Sequence, residues 1–123
     1  MPSNYGKDVD RIFAYLKKKI PLQYPIKLKT ATSFRIKDEN LKILRKDDEG
    51  HYVFTGEIHI ISIKRGKSFE SAVAILLHEY AHAVYCETDV CKNWREPHPN
   101  EWGKAYDKVY RVYEEYIAEC IKN

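Results

Sequence analysis

The chain has no apolar run long enough to cross a membrane. Its longest, residues 72–77, is about a third of a membrane span. The first residues, Met1-Pro2-Ser3-Asn4-Tyr5-Gly6-Lys7, hold no apolar signal region. A soluble, cytoplasmic protein with no membrane partner is therefore expected. An excess of charge of one sign is lacking too. Lys and Arg number 21 against 18 Asp and Glu, interspersed, for a net charge of +3. That balance does not imply a nucleic-acid partner. Glycine and proline number five each, and they build no interdomain linker, repeat or low-complexity segment. The 123 residues thus read as one domain, long enough for a core of its own.

Methionine and glutamine are nearly absent, with only Met1 and Gln23, while Lys, Glu, Ile and Tyr abound. This bias resembles hyperthermophile proteins. It bears on the cysteines. Cys86, Cys91 and Cys120 read as small buried thiols in a reducing cytosol, whereas a hyperthermophile cytosol would allow a Cys86–Cys91 bridge.

Periodicity supplies the elements. Val9, Ile12, Phe13, Leu16 and Ile20 form the stripe of an amphipathic helix over residues 7–19, ended by Pro21. Residues 25–30 alternate as a strand, and residues 33–37 continue it or start another. Asp47-Asp48-Glu49-Gly50 is a turn. Residues 51–54 and 57–63 read as strands with Gly56 as a bend or bulge between them. Ser68 is an N-cap and Glu70 a first-turn acid for the helix that follows. After an irregular stretch over residues 88–99, Pro99 opens a last helix with Trp102, Ala105, Tyr106, Val109, Tyr110, Val112, Tyr113 and Tyr116 at helical spacing. The fold class is α+β: an N-terminal helix, a small, mostly antiparallel sheet, a central helix and a long C-terminal helix.

The chemistry lies in His78-Glu79-Tyr80-Ala81-His82, an HExxH motif inside an otherwise apolar helix. Residues four apart differ by about 40° around a helix axis, so His78 and His82 share a face. Two imidazoles there can hold one metal ion, and zinc is the ion that suits them. Glu79 is placed as the general base for water at such a centre. Buried polar groups cost free energy unless partnered, and a metal is the partner that explains this burial. A third ligand is needed. His98 is the first choice, as the last His in the chain and the residue before the final helix. Glu101 is the alternative; Glu96 and Cys91 also follow the motif, a thiolate giving a softer site. His59 shares a strand face with Ile61, and reads either as a cleft residue or as a cross-strand surface residue. His51 reads as solvated. Tyr106, Tyr110 and His59 are candidate oxyanion stabilisers.

His78-Glu79-Tyr80-Ala81-His82, a loop, and then His98-Pro99-Asn100-Glu101-Trp102 resemble the arrangement of SprT-like zinc peptidases, with Pro99 where that pattern usually has Gly. The layout as a whole is more similar to the minigluzincins, minimal zinc peptidases of the abylysin and jannalysin type, and through them to HtpX-type catalytic domains. The resemblance implies zinc held by His78, His82 and His98, with Glu79 as base and acid. It implies a cleft edged by the strand over residues 57–63, where an extended peptide adds as a further strand. It also implies latency: residues 113–123 would block the cleft or drive self-association into a homo-oligomer, and deleting about the last ten residues would raise activity.

The expected function is zinc-dependent endopeptidase activity on extended or unfolded chains, weak in so small a domain. Two rivals stand beside it. One is a DNA-associated SprT-like protease using Lys17, Lys18, Lys19, Lys27, Lys29, Arg35 and Lys37 on phosphates. The other is a non-catalytic zinc-binding interaction domain.

Overall fold

The computed structural model describes residues 5–31, 50–64, 68–87 and 99–122. The apolar stripe at the N-terminus forms α1 (Tyr5–Lys19), and β1 (Ile26–Ala31) follows after Pro21 and Pro25. β2 (Gly50–Phe54) and β3 (His59–Lys64) form a hairpin, then come α2 (Phe69–Tyr85) and α3 (Pro99–Lys122). The second strand candidate over residues 33–37 and most of the expected turn at Asp47-Asp48-Glu49-Gly50 lie outside the described residues.

The hairpin turn is built from its own side chains. Thr55 N–H donates to the Ile58 carbonyl at 3.0 Å, and Thr55 Oγ1 accepts from Glu57 N at 3.2 Å and Ile58 N at 3.1 Å. Gly56 sits at φ 101°, a conformation that disfavours a Cβ. Its reading as the bend between strands is confirmed.

The sheet is three-stranded among the described residues, in the order β1-β3-β2. β3 runs parallel to β1 and antiparallel to β2, so the sheet is mixed rather than mostly antiparallel. The parallel pair also corrects the expected position of the last strand. β3 has a neighbour on each side, so its backbone cannot be the edge that receives a peptide. The outer strands among the described residues are β1 and β2. His51 is likewise a half-buried residue of β2, paired with Ser62, and not a solvated turn residue.

α2 is the centre of the molecule and packs on β2, β3, α1 and α3. Ala81 and Ala83 are fully buried, and their small side chains let neighbours close on the helix. Ile12, Leu16, Ile61 and Leu76 are at most 1% exposed. Each such side chain contributes about 1.5–3 kcal/mol relative to exposure. Tyr80, also fully buried, donates its hydroxyl to the Ile20 carbonyl at 3.0 Å and so ties α2 to the end of α1. Residues 50, 52 and 54 of β2 share a face with residues 63, 61 and 59 of β3 by register. That face looks at α2, because a Cβ on Gly50 would run into Cγ2 of Ile75.

Among the cysteines, Cys86 is buried and disulfide-bonded, while Cys120 is a free, exposed thiol rather than a buried one. Cys91 lies outside the described residues. No helix among the described residues is long and apolar enough to cross a membrane.

Candidate metal centre

The expected helix start holds. Ser68 Oγ accepts from Ser71 N–H at 3.2 Å, and Glu70 sits in the positive first turn. Two turns later the helix delivers the histidine pair. His78 Nε2 and His82 Nε2 lie 3.2 Å apart, with ring centroids 4.8 Å apart and planes 76° to one another. His78 is the more exposed of the two, and His82 is half-buried. Burial lowers the pKa of His78. Burial first, then the neighbouring His78, brings His82 down to about 4. Both rings are therefore neutral at pH 7 and present lone pairs.

Glu79 is 8% exposed, on the core side of α2. It stands one residue on from His78, about 100° around the axis. Two aromatic side chains close on the pair, and a third backs one of them. Trp102, from the first turns of α3, packs 4.9 Å from His78 and 5.4 Å from His82, centroid to centroid. Tyr106 stacks on Trp102 at 5.3 Å. Tyr52, from β2, lies nearly parallel to His82 at 6.1 Å and 15°. Among the described residues, Trp102 Nε1 is buried without a hydrogen-bond partner.

The residues fit a metal ion. Two nitrogens each about 2.0–2.1 Å from a tetrahedral zinc lie about 3.3–3.4 Å apart, and the Nε2 atoms here are 3.2 Å apart. Without an ion, two neutral rings at that distance share at most one hydrogen bond. The described residues contain no group of three His, Cys, Asp or Glu side chains that could hold a metal. His98, Glu96 and Cys91 lie outside the described residues. Glu101 lies in the first turn of α3, and its side chain is outside the description too.

Of the oxyanion candidates, His59 is corrected. It is fully buried, and both ring nitrogens are engaged, Nδ1 with the Tyr52 hydroxyl and Nε2 with Glu87 Oε2, each at 2.7 Å. It is neither a surface residue nor free to meet a substrate. Tyr106 meets the site through Trp102, whereas Tyr110 is a turn farther along α3 and 42% exposed. The sequence reading missed Tyr52 and Glu87 as neighbours of the site. The only signal for Tyr52 was its place on the same strand face as Phe54. Of the basic residues named for a DNA partner, Lys17, Lys18, Lys19, Lys27 and Lys29 are exposed, and Arg35 and Lys37 lie outside the described residues.

Comparison with protein-family models, curated proteins and solved structures finds no match to this chain.

Proposed function

We propose that the chain is a zinc-dependent peptidase of the minigluzincin type, acting on extended or unfolded polypeptide. The observation that carries the reading is the pair of neutral Nε2 atoms 3.2 Å apart on successive turns of a buried helix. His78 and His82 hold the ion, with His98 as third ligand and Glu101 as its alternative. Bound there, zinc supplies Lewis acidity toward the scissile carbonyl and toward water.

The chain's own residues do the rest. Glu79 takes a proton from the attacking water and returns it to the leaving amine. Tyr106 is the nearer of the two tyrosines proposed to donate to the oxyanion. An extended peptide adds to the outer strand β2 rather than to β3, because β2 carries Tyr52 against His82 and β3 is paired on both sides. A domain of this size offers few side pockets, so specificity is broad and turnover low.

Glu79→Ala tests the assignment. Zinc should remain bound, and hydrolysis of an unfolded protein substrate should fall by at least about 100-fold, the scale of a lost general base. Hydrolysis at the parental rate would remove Glu79 from the chemistry.

A further inference from the structure

Beneath the histidine pair lies a second, deeper polar cluster that the peptidase reading does not use. Tyr52, His59 and Glu87 come from β2, β3 and the residues just after α2. A carboxylate only accepts, so His59 Nε2 carries the hydrogen toward Glu87 Oε2 at 2.7 Å. In the neutral ring, Nδ1 is then the acceptor for the Tyr52 hydroxyl, also at 2.7 Å. Glu87 is fixed in turn by backbone donors, Gln23 N–H on Oε1 at 2.7 Å and Tyr24 N–H on Oε2 at 2.8 Å. Phe54 and Tyr24 wall His59, with centroids 4.9 and 6.1 Å away.

A buried His–carboxylate pair is weak evidence for stability, because desolvation offsets most of its attraction and an apolar pair of like volume often serves as well. Its geometry suggests another role. The phenol ring held by this cluster lies near His59, at 5.7 Å and 28°, and nearly parallel to His82, at 6.1 Å and 15°. With its hydroxyl anchored, Tyr52 cannot turn away from His82.

We infer that Tyr52 is a positioning residue for the metal centre: the buried Glu87–His59 pair locks its ring, and the ring fixes the plane in which His82 offers Nε2. The inference rests on His82 being a ligand. Groups that orient metal-binding histidines change metal affinity by about 10–100-fold when removed.

Two readouts on the full chain test it, zinc affinity by chelator competition and aromatic proton–carbon NMR of His82 in the metal-free protein. Tyr52→Leu should weaken zinc by about 10-fold or more and broaden or shift the His82 resonances. Tyr52→Phe, which keeps the ring and loses the anchor, should show both effects in smaller measure. Leu16→Ala removes a buried side chain of α1 outside this cluster, so it should lower Tm while leaving zinc affinity and His82 close to wild type. Parental affinity and parental His82 resonances in Tyr52→Leu would overturn the inference, as would equal effects from Leu16→Ala. Should Tyr52→Leu fail to fold, Tyr52→Phe decides by the same two readouts. Should the wild type take up no zinc, the peptidase reading falls, and the metal-free NMR comparison still shows whether Tyr52 orients His82.

Discussion

His82 is where protons and the proposed zinc would compete for one nitrogen. The unfolded chain protonates this imidazole near ~6.5, whereas the folded, metal-free protein holds it down to about 4. Between those values the unfolded state binds more protons. The contribution of His82 to stability is therefore complete above about 6.5 and is lost as pH falls toward 4. Thermal melts of metal-free protein across that window should show Tm falling with acid, and His82→Gln should flatten the slope. An unchanged slope would show that His82 takes up its proton alike in the folded and unfolded states. At this scale the motif itself was legible, because helical spacing alone puts His78 and His82 on one face. Tyr52, His59 and Glu87 were not. They are joined across two strands and a helix end, and a single histidine on a strand carries no periodic signal.

At the scale of elements, β2 sits close on α2. A Cβ on Gly50 would meet Ile75 Cγ2 and lie 3.1 Å from the Ser62 carbonyl. Gly50→Ala should therefore destabilise the fold by about 1–3 kcal/mol, the usual cost of overpacking. Gly50→Ala combined with Ile75→Ala should recover part of that loss in denaturant unfolding. A neutral single mutant would show that the helix moves aside freely. The order of strands was the part that sequence periodicity could not supply. Residues 25–30 and 57–63 both read as strands, but alternation says nothing about which strand lies between which. One signal did point the right way: Ile58, Ile60, Ile61 and Ile63 form a near-continuous apolar run, the mark of a strand covered on both faces. The helices were more legible, since Ser68, Pro21 and the apolar stripe of α1 act locally.

At the scale of the whole molecule, α3 links the site to the far end of the domain. Tyr113 is about 16 Å along the helix from Trp102. The inhibition proposed for residues 113–123 would therefore fall on the site of a second copy rather than on its own. Part of that segment is also structural: Tyr116 packs edge-on against Tyr15 at 5.3 Å, and the Tyr15 hydroxyl donates to Glu119 Oε2 at 2.7 Å. Deleting residues 120–123 removes the exposed Ile121 and spares both contacts. It should reduce self-association in sedimentation and raise turnover with little change in Tm. Deleting residues 114–123 should instead lower Tm by about 5–10 °C, as α1 loses its hold on α3. Parental melting of the longer deletion would contradict that division. The most direct measurement is zinc stoichiometry by native mass spectrometry of the full chain, beside His78→Ala, His82→Ala, His98→Ala and Glu101→Ala. One zinc per chain, lost with either motif histidine and with His98 but kept in Glu101→Ala, is the predicted result. No zinc after reconstitution, or zinc retained when both motif histidines are replaced, would contradict it.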